Sequence, residues 1–342
     1  MHEAPPLRVV AIGGGTGLSA LLQGLKRYAR PWPEDDSLPL LDITAVVTVT
    51  DDGGSSGRLR REFAVLPPGD IRNCMVALSE DEALLSRLFQ YRFAAGRGLK
   101  GHSFGNLFLM ALTQVIGDFP DAVKASAEVL NIAGRIYPST NANVALEAVL
   151  ENGARIVGET QISKSRRRIL EVRLRPRRVR PLPETLDAIA QADVITLGPG
   201  SLFTSVIPNL LVNGIPQAIH SSRAIKACFI NLMWQPGETS SFTASDHIAA
   251  IHKHARSKFL DYAVVNIHPI RHELRRRYAL EEALPVENDV DRIFKMGVQV
   301  LAGRLLQQTD VLRHDPEKTA AAVVRLAQEG RRRREGIVAA AG

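Results

Sequence analysis

The run IGGGTGLS places glycine at positions 13, 14, 15 and 17, directly behind the apolar run LRVVA. Glycines so spaced let backbone N–H groups approach an anion with no Cβ in the way, and a helix that follows turns its positive dipole end toward the same point. Gly13, Gly14, Gly15, Thr16 and Gly17 are therefore read as a phosphate-binding turn, the alternative being a tight strand-to-helix turn that needs glycine for packing. Neither standard fingerprint is met. A dinucleotide G-x-G-x-x-G from Gly13 requires glycine where Leu18 stands, and no Gly-Lys-Ser/Thr of a P-loop follows. The stretch GPGSLFTSVIPNLL repeats the design with Gly198, Gly200, Ser201, Thr204, Ser205 and Asn209. Here a plain serine N-cap is the rival reading.

Carboxylates come next. Asp51 and Asp52 stand side by side in TDDGGSSGRLRREF, and PPGDIRN brings Asp70. Carboxylates that face a phosphate site call for a cation between them and the ligand, and Mg²⁺ suits oxygen donors, so these three are the candidate metal ligands. The other reading is a turn cap and a solvent-facing side chain. Arg58, Arg60 and Arg72 match phosphate directly, since the guanidinium fork fits its oxygens. A ligand pocket is assigned to Ser55, Ser56 and Asn73, to His102, Ser103 and Asn106 of GHSFGNL, to Thr140 and Asn143 of PSTNANV, and to Gln235 and Glu238 of QPGETSSF. His102 is a proton donor or, equally, a satisfied side chain near a helix cap. No catalytic residue is assigned.

These stretches must be held by regular elements. LRVVAIG and LDITAVVTV (41–49) read as buried β-branched strands, as do 193–198, 227–233 and 262–267. Residues 17–29 carry Leu18, Leu21, Leu22 and Leu25 on one helical face, and 70–95, 103–116 and 120–133 also read as helices. Asn152-Gly153 between two β-like runs signals a hairpin. Apolar strands separated by helices imply a Rossmann-like, mainly parallel α/β sheet covered on both faces, with the helical cluster (about 70–133) and the hairpin region (about 142–180) as insertions. One domain over 1–330 and a frayed basic tail over 331–342 complete the expectation. The chemistry-bearing stretches follow strands, and such a sheet binds its ligand outside the carboxyl ends where strand order reverses.

The whole chain of 342 residues carries a formal charge of +7. Residues 164–180 alone hold nine basic residues and one acid, which leaves 34 basic against 35 acidic residues elsewhere. The excess is one stripe, in which Leu170, Val172 and Leu174 alternate with Glu171, Arg173 and Arg175. That is the wet face of a strand or the seat of an anionic partner. With aromatic residues at 5%, stacking on nucleic acid has little support. Two cysteines without C-x-x-C spacing suggest a reducing compartment, and no signal peptide or membrane span is expected, so the cytoplasm is the expected location. H-E-x-x-H and Cys/His zinc spacings are missing, and His252 and His254 are spaced to face different ways on a helix.

Taken in order, IGGGTGLS, TDDGGSSGRLR, PPGDIRN, HSFGNL, GPGSLFTSVIPNLL and QPGETSSFTASDH resemble the YvcK/CofD-like family, the UPF0052 group, over residues 12 to about 247. The resemblance implies one of two activities. The CofD branch moves 2-phospho-L-lactate from a guanosine diphosphate-linked donor to the deazaflavin Fo with Mg²⁺, in making coenzyme F420, and Asp51, Asp52 and Asp70 resemble its metal-holding carboxylates. The YvcK branch, the gluconeogenesis factors, is implied to bind UDP-sugars such as UDP-N-acetylglucosamine and to support cell shape and wall synthesis on gluconeogenic carbon sources. DDGGSSGRLR and QPGETSSFTASDH resemble the second branch, so a UDP-sugar-binding regulator is expected, with a homodimer unsurprising. The sequence flanking these motifs departs from the transferase pattern.

Overall fold

The structure, a computed structural model, describes residues 5–29, 40–79 and 84–336. Its centre is a sheet of seven strands: β1 (Leu7–Gly13), β2 (Leu41–Val47), β3 (Arg135–Pro138), β7 (Val194–Leu197), β8 (Ile225–Phe229), β9 (Tyr262–Asn266) and β10 (Gln299–Gly303). Every neighbouring pair is parallel, in the order β10-β9-β8-β7-β1-β2-β3. Strand order reverses between β1 and β7, so the expected mainly parallel α/β fold is what forms. The strands are short and nearly all buried, because helices lie on both faces and neither face can be polar.

Register fixes where the loops emerge. Gly13 pairs with Val47, and Ile12 lies between Val46 and Leu197. The carboxyl ends of β1, β2 and β7 thus finish at nearly one level and release their loops side by side. The helix Gly15–Leu25 runs back along the sheet with Leu18, Leu21, Leu22 and Leu25 fully buried. Each such leucine contributes roughly 1.5–3 kcal/mol. The same helix crosses the long C-terminal helix Pro316–Arg334 at Gly24, where an added Cβ would lie 1.9 Å from the Pro316 carbonyl oxygen.

The remaining strands lie outside the main sheet. β4 (Ala145–Leu150), β5 (Arg155–Val157) and β6 (Ile169–Arg175) form an antiparallel sheet in which Asn152-Gly153 turns the β4–β5 hairpin. β11 (Leu306–Gln308) and β12 (Leu312–His314) make a small ribbon.

Several boundaries differ from the sequence expectation. The long helix over 70–95 is two helices, Gly69–Leu78 and Leu84–Gln90, with 80–83 outside the described residues. The stretch 120–133 ends as a helix at Val129, and Asn131 takes a left-handed φ of 46°. In β6 the alternation breaks at its start: Ile169 is buried and Leu170 exposed, because the pairing with β4 shifts register between Val149 and Leu150. Nor is the tail frayed from 331. Helix continues to Arg334, and Arg331 is buried because its guanidinium reaches Asp193 under the sheet. Residues 337–342 lie outside the described residues. Among the described residues no single helix is long and apolar enough to cross a membrane.

Candidate functional site

At the switch point the loops after β1 and β7 are locked together. Thr48 N–H donates to the Gly13 carbonyl and Gly198 N–H to that of Ile12, so β2 and β7 hold the glycine turn from both sides. Gly15 takes φ +63°, which favours glycine, and starts its helix with no side-chain cap. Gly17 is glycine for closeness: a Cβ there would lie 2.5 Å from the Pro199 carbonyl oxygen. After Gly200 the chain makes a wide π turn over Leu202–Val206, a local widening of the helix that recurs at functional sites. Beneath it, buried Asn209 donates through Nδ2 to the carbonyls of Gly13, Ser205 and Val206. Asn209 therefore fastens the two loops from below rather than facing the crevice.

Between these loops opens a cavity of about 400 Å³. Gly14, Gly15, Thr16, Gly17, Gly200, Ser201 and Ser205 line one side, and Asn231 to Gln235 line another. Gln235 Nε2 donates to Ser201 Oγ at 2.6 Å, and Asn231 Nδ2 donates to Gln235 Oε1 at 2.9 Å, tying the β8 loop to the β7 loop. The third wall is the β11–β12 ribbon with Arg313 and His314, together with Tyr278. Tyr278 Oη accepts from Leu312 N–H, which sets the ribbon over the opening. The Arg313 guanidinium makes no ion pair or hydrogen bond among the described residues and is this wall's cation. His314 is neutral: loss of hydration pushes it down to about 4. Its Nε2 has no partner among the described residues.

Carboxylates gather behind the glycine turn. An added Cβ on Gly14 would lie 2.6 Å from Asp70 Oδ2, and one on Gly69 2.6 Å from Asp51 Oδ2. Burial pushes Asp70 up to about 7, the Asp51 charge adds to it, and the Gly15 amide and Arg72 only partly offset this. Asp51 is raised by burial, against bonds from the Gly53 amide and Ser56. Glu159, which opens the helix Glu159–Lys164 and lines the cavity, is pushed up to about 9 by burial and then by Asp70, Asp51, Glu238 and Asp52. Glu238 is pushed up to about 7 by burial, although Thr204 and Ser163 donate to its Oε1. One oxygen each of Glu159 and Glu238 is buried without a partner among the described residues.

The three aspartates selected from sequence do not act as one set. Asp52 turns away and caps the helix Glu159–Lys164, accepting from Thr160 N–H at 2.8 Å and Thr160 Oγ1 at 2.7 Å. Asp51 and Asp70 stay together, and Glu159 takes the place assigned to Asp52. Among the described residues no group of three or more His, Cys, Asp or Glu side chains stands at metal-holding geometry.

The other pocket residues divide. Ser55 Oγ meets His102 Nδ1 at 2.9 Å, Asn106 Nδ2 donates to Ser56 Oγ at 3.4 Å, and Ser103 caps the helix Phe104–Ile116 by accepting from Asn106 N–H. This chain of polar groups leads through Ser56 to Asp51. Burial, then the Arg58 charge, lowers the His102 pKa, so it is a neutral, satisfied side chain. Arg58 donates to the Lys100 carbonyl and Arg72 to Asn73 Oδ1, so neither lines the cavity, and Asn73 is engaged with its neighbour. Thr140 is buried and donates to the Arg180 carbonyl, while Asn143 is exposed and no part of the cavity wall.

Glu159, Trp234, Tyr278, Arg313 and His314 were not legible as site residues. Only Trp234 had a signal, sitting next to Gln235 after a strand. The others come from a hairpin and helices far along the chain that fold back over the opening.

The fold and crevice define a doubly wound α/β protein with a polar, glycine-walled ligand crevice at its topological switch point. The model of the family described as 2-phospho-L-lactate transferase CofD matches residues 9–306, and the chain belongs to this CofD/UPF0052 family. It is 46% identical to the gluconeogenesis factor of Bacillus subtilis over 94% of this chain and 98% of that protein. It is also 46% identical to the gluconeogenesis factor of Halalkalibacterium halodurans over 92% of this chain and 95% of that protein. A crystal structure of a UPF0052 family member from Bacillus halodurans superposes with a TM-score of 0.87 at 45% identity, covering 94% of this chain and all of that one.

Proposed function

We propose that the crevice binds a nucleoside diphosphate sugar, of the UDP-N-acetylglucosamine kind, and that the protein is a regulator of the gluconeogenesis-factor type, acting on cell shape and wall synthesis during growth on gluconeogenic carbon. The observation that carries this reading is the composition of the cavity wall. Backbone amides of the glycine turn and the lone guanidinium of Arg313 face one space, suited to a diphosphate. Trp234 and Tyr278 offer rings to a base, and Gln235, Ser201 and Asn231 offer hydrogen bonds to a sugar. The size suits a small ligand. The test is isothermal titration with UDP-N-acetylglucosamine and GDP, each with and without Mg²⁺. UDP-sugar binding that Arg313→Ala weakens at least about tenfold, and that Gly15→Asp abolishes, is expected. Unchanged affinity in both variants overturns the placement.

A second reading follows from the buried carboxylates and the family model: a Mg²⁺-dependent phospholactate transferase. The donor types are hard oxygen, which Mg²⁺ prefers, with Asp51 and Asp70 next to one another, although among the described residues no three carboxylates stand at metal-holding geometry. Mg²⁺ would supply charge neutralisation at a diphosphate. Within the chain's own residues, the Gly15 amide and Ser56 already orient Asp70 and Asp51. Release of GMP from lactyl-diphosphoguanosine with Fo and Mg²⁺ would favour this reading, and no release with fresh donor would count against it.

A further inference from the structure

The basic stripe has no part in the crevice, and the structure shows what it surrounds. β6 and the segment after it meet the turn at Leu210–Pro216 and the last turn of the helix Ala244–Ala255 around a concave cavity of about 770 Å³. It shares no lining residue with the switch-point crevice. Arg173, Arg177 and Arg178 come from the stripe, and Lys253 and Arg256 face them from a segment about eighty positions further along the chain. A solvated strand face would need no such second contributor.

The charges are not cancelled within the cavity. Glu171 is its one acidic side chain and is already engaged by Arg173, through Nε at 2.8 Å and NH2 at 2.7 Å. Lys253 Nζ donates to the Leu170 carbonyl, which brings no negative charge. Arg177, Arg178 and Arg256 make no side-chain hydrogen bond or ion pair among the described residues. His254 adds no charge: its Nδ1 bonds the Ala250 carbonyl and its Nε2 accepts from Val172 N–H, which fixes one neutral tautomer, and burial lowers its pKa. The cavity therefore carries five cations against one acid that is already paired.

Arg256 lines the cavity from the end of its helix, at φ +53°, a left-handed position that favours glycine. A glycine there would remove the guanidinium while relaxing the backbone.

We propose that this cavity is a second ligand site, for a small molecule bearing two or more phosphate groups. Guanidinium forks match phosphate oxygens in pairs, and three unengaged forks around one concavity suit more than one phosphate. The volume lies in the range of small-ligand sites.

The test is titration of the full chain at low ionic strength with inorganic pyrophosphate, with sulfate as the reference anion. Phenylglyoxal labelling read by mass spectrometry then locates the site. Pyrophosphate should bind at least about tenfold more tightly than sulfate and protect Arg177, Arg178 and Arg256 from labelling. The double substitution Arg177→Ala, Arg178→Ala should weaken binding at least about tenfold. Arg256→Gly should weaken it about three- to fivefold without lowering the melting temperature, since glycine accepts that backbone freely. Because the crevice also suits a diphosphate, the separating control is Arg313→Ala, in which pyrophosphate should still protect Arg177, Arg178 and Arg256 from labelling. Equal affinity for sulfate, protection confined to Arg313, or parental affinity in both cavity variants would overturn the proposal.

Discussion

The two ends of the central sheet both bury carboxylates, and they treat them oppositely. At the amino end Asp193 is fully buried and complete: Arg331 donates to it from Nε and Nη2 at 3.0 and 2.8 Å, Arg8 N–H donates at 2.8 Å, and Arg334 forms an ion pair with it at 3.0 Å. At the carboxyl end Glu238 is buried and Asp51, Asp70 and Glu159 are partly buried, with no cation bonded to any of them among the described residues. Loss of hydration raises the pKa of all four, Asp51 adds to the rise at Asp70, and Asp70, Asp51 and Glu238 add to that at Glu159. Buried charge that is paired within the chain needs nothing further, and buried charge left unpaired must bind protons or a partner. Stability is thus concentrated at one end and binding capacity at the other, which is where perturbed acids are expected to mark function.

The largest effect should come from breaking the completed end. Arg331→Ala removes two bonds to Asp193 and also frees the Pro5 and Pro6 carbonyls, which the same guanidinium holds. Losing one partner of a buried ion pair costs about 3 kcal/mol, read as a lower urea midpoint at unchanged slope. A loss below about 1 kcal/mol would mean that Arg334 alone suffices and that the amino end is not the anchor described here.

Packing, unlike charge, is tight at both ends. An added Cβ would lie 1.8 Å from the Asp193 carbonyl oxygen at Gly330 and 2.5 Å from the Pro199 carbonyl oxygen at Gly17. Both contacts are with backbone, which cannot swing aside. Gly330→Ala and Gly17→Ala should each cost about 2 kcal/mol in urea unfolding. Only Gly17→Ala should also weaken nucleotide-sugar binding, because only there do the displaced loops line the crevice. Equal binding in both variants would remove the functional half of the contrast.

How much of this contrast could be read in advance follows from its physical origin. Strands such as LDITAVV and the glycine turn are local signals, so the parallel sheet and the position of its crevice were legible. The carboxylate set was only partly so. Adjacent Asp51 and Asp52 look alike in sequence, yet Asp52 is consumed by Thr160, a partner 108 positions away, and Glu159 enters from the hairpin region. The ribbon bearing Arg313 and the pair Asp193–Arg331 are equally long-range, and RRRR at 331–334 reads as a solvated helix end until the fold brings one guanidinium beneath the sheet. Local chemistry announces itself in sequence, whereas burial by distant segments does not.

The smallest effect is the most diagnostic, because its sign differs. In the unfolded chain Asp and Glu titrate near their ordinary values, about 4. In the folded protein Asp70 and Glu238 are pushed up to about 7 and Glu159 to about 9. Between those limits the folded state holds more protons than the unfolded one, so stability falls as pH rises from about 4 to about 9. Glu159→Gln keeps the size and removes the charge. It should make the melting temperature less dependent on pH, and at about pH 8 it should raise stability by about 1 kcal/mol over the parent, by differential scanning fluorimetry. The same substitution should weaken binding of any ligand or dication that this end serves. A parent with no fall in melting temperature between about pH 5 and about pH 8, together with a destabilised Glu159→Gln, would show that the carboxylates at this end are as fully compensated as Asp193. The carboxylates behind the glycine turn would then lose their physical claim to a proton or a cation as partner.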